Sequence, residues 1–576
     1  MRYCFSVCYR GKGYFEMLKL LDKLNGLFSR KLTVIAILIV LAIPTLLPLT
    51  HQGFFPTQDF IHVARLYEMD QSLKGGQFPV RWVPDFRYGE PLFNFYAPLP
   101  YYVGTLIHNL GFSFLDTTKI LFGLGFVLSG VAMFFFAREL FGSLGGFIAS
   151  ALYIYAPYHS VDVYVRGALS ESLALVFFPL IFLASLKLSR DSSAKSFIFL
   201  SLSLAGLFFT HNIMTVLFFP FYIGWAAYLI WSSKNLKLVK KFVLATVLGL
   251  GLAASFLLPA FFEKDFVRST ELISGYFDYR GHFVEVRQFF TPSWGYGASL
   301  WGAKDDGMSF QVGLTHWFAL ALSLILTLVF RKSRVVLSLT LFLIAEFLFS
   351  LFMQHNKSTP IWLTFPTLAF TQFPWRFLGI SIFLISIVGG AMGLYLKKWA
   401  AIFGVLLALG VVVFNIGYFH PESFYLDSID DHYASAAVFA IDDKLPKDYL
   451  PVWVTSLKEE KVSLPHTMDG EAEVSNFNKR SSSATFKIKV LKKADVEIPV
   501  TYFPGWEVLV NDKLVSQEEP SKRGLIRVRL AEGDYQIKLN FSNTPVRSLG
   551  NITTLLSALV VVAFATGKLR LGKWLT

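Results

Sequence analysis

Residues 51–102 read HQGFFPTQDFIHVARLYEMDQSLKGGQFPVRWVPDFRYGEPLFNFYAPLPYY, and the fold follows from what stands on either side. Residues 32–49 before the stretch and 119–137 after it are apolar runs of about the length that crosses a bilayer. A polar stretch between two such runs is a loop at one membrane face. It carries Asp59, His62, Arg65, Glu68, Asp70, Arg81, Asp85, Arg87 and Asn94 among Trp82, Phe86, Tyr88, Phe93, Phe95 and Tyr96. That mixture suits a polar ligand held at the edge of a bilayer, and loops fixed by rigid elements are where function tends to sit.

The whole chain shares this character. Of 576 residues, 54% are hydrophobic, 17% aromatic and 16% charged, which is too apolar for an ordinary soluble protein. The net charge of +13 does not point to nucleic acid, because the basic residues fall in short clusters between apolar runs and form no basic helix. Cys4 and Cys8 are the two cysteines, so neither a disulfide framework nor a cysteine metal site is expected. The first residues lack the usual signal-peptide core and a small-residue cleavage site, so the first span is expected to remain as an anchor.

Apolar runs at 32–49, 119–137, 144–157, 168–187, 196–209, 213–231, 242–262, 314–330, 335–352, 377–396, 399–417 and 549–566 predict a polytopic α-helical membrane protein of about twelve spans. Threaded from a cytoplasmic amino terminus, they put Arg138 and the clusters at 187–195, 234–241, 331–334, 397–398 and beyond Lys568 on the cytoplasmic side, with both termini. The apolar run 98–112 is read as an interfacial helix, since counting it would invert every later loop. The expected division is a cytoplasmic segment 1–31, a membrane domain 32–417 with its first extracytoplasmic loop at 50–118, an outer domain 418–547, and a last span with its tail at 548–576. In 418–547 the apolar runs stop. TFKIKV, LIRVRL and YQIKLNF alternate with period two between turns, which predicts an extracytoplasmic β-sandwich.

The same threading gathers the chemistry-capable residues outside. YHSVDVYVRGALSE at 158–171 places His159, Asp162 and Arg166 at the rim and Glu171 about one turn inside the next span, where an ionisable group is expected to have a partner or a cavity. Thr210, His211 and Asn212 break a helical hairpin at that face. Arg287 lies in the loop 263–313, and Arg376 ends QFPWR at 372–376. Asp59 is the first choice for a catalytic carboxylate, acting as general base on an acceptor hydroxyl, with His62 and Arg65 on the following helical turn; its bland alternative is a helix cap. Arg81, Arg87, Arg166, Arg287 and Arg376 suit phosphate recognition through paired planar hydrogen bonds; the bland alternative for each is headgroup anchoring. A divalent metal is left open: His51, Asp59 and His62, or His159 and Asp162, offer hard ligands, but no H-E-x-x-H spacing occurs and no metal residue is assigned. No phosphate-binding P-loop sequence is present.

DVYVRGALSE at 162–171, THN at 210–212 and QFPWRFL at 372–378 resemble the motifs of the polytopic family labelled 6-pyruvoyl-tetrahydropterin-synthase-related membrane proteins. TYFPGWEVLVNDK at 501–513 resembles the closing β-domain of bacterial proteins implicated in glycosylating lipoteichoic acid and similar polymers. The zinc-histidine set of a pterin synthase is absent, so pterin chemistry is discarded. The resemblance implies the C-superfamily of glycosyltransferases, which use a polyprenyl-phosphate sugar and keep a catalytic acid in the first extracytoplasmic loop, the position of Asp59. Where that superfamily often shows two neighbouring acids, Gln58-Asp59-Phe60 offers one; Glu68, Asp70 or Asp85 would have to supply a second.

The expected function is therefore an inverting membrane glycosyltransferase moving a sugar from a polyprenyl-phosphate donor to an extracytoplasmic glycan, lipid or protein acceptor. Asp59 is the expected base. His62, Arg65, Asp85, Arg87, Arg166, Glu171, His211, Asn212, Arg287 and Arg376 are the expected substrate contacts, Arg166, Arg287 and Arg376 first for the phosphate, with Glu171 orienting Arg166 or His211. Trp82, Tyr88, Tyr96, Trp294 and Tyr296 are candidate sugar platforms. Membrane lipids complete the expected partners. The rival is a non-catalytic transporter or lipid- or glycan-binding scaffold of the cell envelope, for which broken helices with polar residues at mid-membrane and an internal repeat would be the signs.

Overall fold

The computed structural model describes Gly26 and residues 30–302, 305–330, 333–395, 400–439, 447–457 and 461–569. The segment 1–31, with Cys4 and Cys8, lies almost wholly outside the described residues, as do the basic pairs 331–332 and 397–398 and the end of the tail. Among the described residues eight helices are long and apolar enough to cross a membrane: Lys31–Thr50, Phe114–Ile154, Leu169–Asp191, Asn212–Ser233, Arg334–Gln354, Pro374–Leu394, Ala401–Tyr418 and Pro545–Ala565. A ninth is a pair, Lys237–Leu252 and Ala254–Phe262, bent by 77°, and Ala194–Thr210 and Leu314–Phe330 are shorter apolar helices. Two apolar runs of the sequence join in Phe114–Ile154, which breaks at Gly142, where φ is +78°, a backbone conformation open to glycine at little cost. Twelve crossings require both shorter helices to cross and Phe114–Ile154 to cross twice about that break.

Pro374–Leu394 is the central helix, buried on every side through Gly390. It meets Phe114–Ile154 at glycines: a Cβ on Gly390 would stand 2.7 Å from the Gly145 carbonyl oxygen, and one on Gly393 2.5 Å from the Gly145 nitrogen. Lipid tails are as apolar as Leu, so helices in a bilayer associate through such close packing. Phe182 stacks on Trp225 at 5.0 Å and meets Phe383 edge-on at 5.0 Å to fill the space beside it. At the periphery Pro545–Ala565 leaves Leu549, Ile552, Leu555, Leu556 and Leu559 exposed, the apolar face a hydrocarbon phase requires.

The bend at Leu252–Ala254 is held from outside. Gly550 of the last helix packs on it so closely that a Cβ would lie 2.7 Å from the Ala254 carbonyl oxygen, and the Ser255 amide donates to Thr554 Oγ1 at 2.9 Å. One helix further on, Glu263 accepts from Arg547 Nε and Nη2 at 3.0 and 2.9 Å, from Asn94 Nδ2 at 2.7 Å and from Thr544 Oγ1 at 2.6 Å. A buried carboxylate is tolerable only when paired and hydrogen-bonded. Here its four partner bonds tie the first loop, the bent helix and the last helix together.

The strands β1 (His466–Lys479), β2 (Ser483–Thr501), β3 (Trp506–Val510), β4 (Lys513–Val515), β5 (Leu525–Leu530) and β6 (Gly533–Phe541) form one antiparallel sheet in the order β1-β2-β6-β3-β4, with β5 on β2. The expected sandwich of two sheets is corrected to this single one because β2, 19 residues long, pairs with β6 through Ser483–Val490 and with β5 through Ala494–Thr501. Residues 418–457 add no strand to it among the described residues. The sheet sits on the first loop: Trp82 meets Trp506 edge-on at 5.4 Å, and the Lys479 ammonium donates to the Pro84 and Tyr88 carbonyls at 2.8 and 3.2 Å.

Candidate active site

The helix His62–Lys74 begins just after Asp59, and the backbone ahead of it is fastened to the second loop. The Asp59 amide donates to the Arg166 carbonyl at 2.8 Å and the Gln58 amide to that of Val165 at 3.2 Å. Arg166 itself follows a π-helical turn, Val161–Val165, a geometry frequent at functional sites.

Seven of the expected residues, Asp59, Arg65, Arg166, Glu171, His211, Asn212 and Arg376, line one cavity of about 580 Å³. Arg166 lies between two acids, with Nη1 2.5 Å from Asp162 Oδ1 and 2.9 Å from Glu171 Oε2, and its guanidinium stands 4.6 Å over the Trp375 ring. Glu171 also faces Arg376 Nε at 3.3 Å and accepts from the Tyr158 hydroxyl at 2.7 Å. Arg376 donates to the Thr371 carbonyl at 2.8 Å and Gln372 Oε1 at 2.9 Å, while its buried Nε has no hydrogen-bond partner. Burial raises the Asp162 carboxyl well above the ordinary carboxylate range, with Glu171 adding to the effect and Arg166 opposing it. His211 accepts from the Met214 amide at 3.0 Å. Burial pushes its imidazole down to about 3, so it is neutral and acts as a helix cap. Asn212 Nδ2 donates to the Phe95 carbonyl at 2.9 Å.

Arg65 differs from the other two guanidiniums. It is buried, forms no ion pair among the described residues, and lies 4.1 Å over the Tyr96 ring. Part of the lining is apolar, with Ala260, Phe261, Ile213 and Phe370, and the Lys264 ammonium stands 5.3 Å over the Phe261 ring there.

Four expected contacts are not brought to this cavity. His62 is buried with Nδ1 2.7 Å from the Tyr101 hydroxyl and is held well below its usual range by burial, then by Arg65. Asp85 lines a separate, smaller cavity with Lys479, where burial raises the acid and pushes the amine down to about 8. Arg87 is ion-paired with Glu90. Arg287 is half exposed and paired with Glu285 and Asp305, both at 2.9 Å. Among the candidate sugar platforms Tyr96 lines the cavity, while Trp82 is buried against the sheet and Tyr88, Trp294 and Tyr296 lie elsewhere. Lys264, Tyr276, Asp448 and Tyr449 line it without having been singled out in the sequence. Among the described residues no three His, Cys, Asp or Glu side chains come together as a metal site.

The model of the 6-pyruvoyl-tetrahydropterin synthase related domain, a membrane protein family, matches residues 93–420. An uncharacterized protein of Lactococcus lactis subsp. cremoris (strain MG1363) is 27% identical over 235 residues, 39% of this chain and 38% of that relative. Two solved structures are similar at low identity. The mycobacterial arabinofuranosyltransferase AftD has 15% identity and a TM-score of 0.42 over 68% of this chain and 27% of its own. ArnT from Cupriavidus metallidurans, solved bound to undecaprenyl phosphate, has 13% identity and a TM-score of 0.38 over 67% of this chain and 70% of its own. Likeness at those scores says nothing of activity. The family match covers more than half of the residues, and the chain belongs to the 6-pyruvoyl-tetrahydropterin synthase related membrane proteins.

Proposed function

We propose that the protein is an integral membrane glycosyltransferase that moves a sugar from a polyprenyl-phosphate donor to an extracytoplasmic acceptor, with both termini cytoplasmic. The observation that carries this reading is the convergence of Asp59 with Arg166 and Arg376, from three loops far apart in the chain, on one cavity whose lining is in part apolar. Asp59 takes the proton of an acceptor hydroxyl. The oxygen attacks the anomeric carbon, a bond to it forms as the bond from that carbon to the phosphate oxygen breaks, and the configuration inverts. The leaving polyprenyl phosphate keeps the bonding electrons, and Arg376, Arg166 and Lys264 receive its charge. Glu171 holds the two guanidiniums in register, and the apolar part of the lining suits the first isoprene units.

The rival transporter draws on one observation, the 77° bend between Leu252 and Ala254. That corner is filled by Gly550 and Thr554 and does not line the cavity, so the transferase is the better reading. The test is incubation of the full chain in proteoliposomes with radiolabelled undecaprenyl-phosphate sugars and cell-envelope acceptors. Label that moves onto acceptor with release of undecaprenyl phosphate supports the transferase; label that crosses the bilayer still bound to its lipid supports the transporter.

A further inference from the structure

Part of the cavity wall, packed against the first loop, is a strap of chain, residues 447–457, that precedes the sheet. Its backbone is fastened to the turn after the bent helix: the Arg268 amide donates to the Leu450 carbonyl and the Val452 amide to the Phe266 carbonyl, both at 3.1 Å, and Val267 bridges Pro451. The Arg268 guanidinium reaches the Val454 carbonyl. At the end of the strap so held, Asp448 and Tyr449 line the cavity.

Tyr449 stacks on Phe95 with centroids 5.9 Å apart and an interplanar angle of 7°, and meets Tyr96 edge-on at 6.3 Å. Tyr96 in turn carries the Arg65 guanidinium at 4.1 Å. Asp448 is half-buried and forms no hydrogen bond or ion pair among the described residues. Burial raises its carboxyl above the ordinary range, Arg65 opposes that and Asp59 adds to it, so both charges act on it across the cavity. A sheltered carboxylate without a partner leaves acceptor capacity for a ligand.

A phosphate placed here would face the two carboxylates of Asp448 and Asp59. A neutral sugar ring would not, and its surface matches the wall: hydroxyls donate to a carboxylate, oxygens accept from a guanidinium, and the C–H face lies on an aromatic ring. We propose that Asp448 and Tyr449, with Arg65 and Tyr96, form a sugar-recognition subsite in which Asp448 accepts hydrogen bonds from a pair of ring hydroxyls. This supplies, from the strap rather than the first loop, a second acid facing Asp59. The inference rests on the transferase reading, and the ring belongs either to the donor or to the acceptor.

The experiment titrates the full chain in lipid nanodiscs, as wild type, Asp448→Ala and Tyr449→Leu. One arm compares undecaprenyl phosphate with its glucose, galactose and mannose conjugates. The other adds octyl glycosides of the same sugars in the presence of undecaprenyl phosphate. The wild type is expected to gain about tenfold or more in affinity from one of the sugars, and both variants to lose that gain while binding bare undecaprenyl phosphate as the wild type does. Loss in the first arm assigns the ring to the donor, and loss in the second to the acceptor. Should Asp448→Ala no longer bind the bare lipid, the isosteric Asp448→Asn is scored in its place. Sugar preference that persists in the variants, or is missing from a wild type that binds the bare lipid, overturns the subsite and leaves the transferase standing. A wild type that binds no undecaprenyl compound overturns both.

Discussion

The Asp59 amide donates to the Arg166 carbonyl at 2.8 Å, so one backbone contact sets the carboxylate of the first loop against the guanidinium of the second. Beside it Gly167 has φ +66°, and a Cβ there would come within 2.6 Å of the Thr57 side chain. Gly167→Ala meets both the steric cost of positive φ, about 1–2 kcal/mol, and a collision that displaces the segment carrying Asp59. The expected result is a fall in transfer of tenfold or more with affinity for undecaprenyl phosphate within about twofold, read by parallel turnover and lipid-binding assays.

Lys264 stands at the apolar side of the cavity, 5.3 Å over the Phe261 ring, and forms no ion pair among the described residues. Its removal therefore strands no carboxylate. Lys264→Ala is predicted to weaken binding of undecaprenyl phosphate about tenfold and to leave the thermal midpoint near that of the wild type, as lipid titration and thermal unfolding in detergent will show.

Glu90 is buried, and that burial pushes it up to about 7 against the pull of Arg87. A carboxyl whose folded pKa lies above its unfolded one, near 4.3, stabilises the fold in its protonated form. That stability is complete below about pH 4.3 and is lost as pH rises through about 7. Glu90→Gln stays neutral throughout. Relative to the variant, the wild type should lose stability between pH 5 and 7, by no more than about 3 kcal/mol, and then level off. Denaturation of the full chain at a series of pH values checks this, and parallel curves would count against it.

Phe60 and Lys234 are exposed, and the proposed threading puts them on opposite sides of the bilayer, which makes them its test. With Cys4 and Cys8 replaced by Ser, Phe60→Cys is expected to react with a membrane-impermeant maleimide added to whole cells, and Lys234→Cys only after permeabilisation. The reverse pattern would place the cavity in the cytoplasm.

The helices were legible because an apolar run long enough to span a bilayer is a one-dimensional signal. The break at Gly142 falls between the runs 119–137 and 144–157 and was legible too, but the bend at Ala253 lies inside the single run 242–262, with the same hydropathy on both sides. The edge strand β1, HTMDGEAEVSNFNK, escaped because neither of its faces is covered well enough to impose alternation. Within the site, loop order indicated which residues share a membrane face but not which reach the cavity. Arg287 and Arg87 are diverted by acids two or three residues away, Glu285 and Glu90. Asp448 and Tyr449 lay in a segment that composition assigned to the outer domain, and contacts with Arg268, Phe266 and Val267, and of Tyr449 with Phe95 and Tyr96, bring that segment back to the cavity.

The most direct measurement is sugar transfer by Asp59→Asn, a substitution that keeps the shape of the side chain and removes its basicity. With radiolabelled undecaprenyl-phosphate sugar and envelope acceptor, the variant should bind undecaprenyl phosphate as the wild type does and transfer about a hundredfold to ten-thousandfold more slowly. Transfer at the wild-type rate would contradict the account.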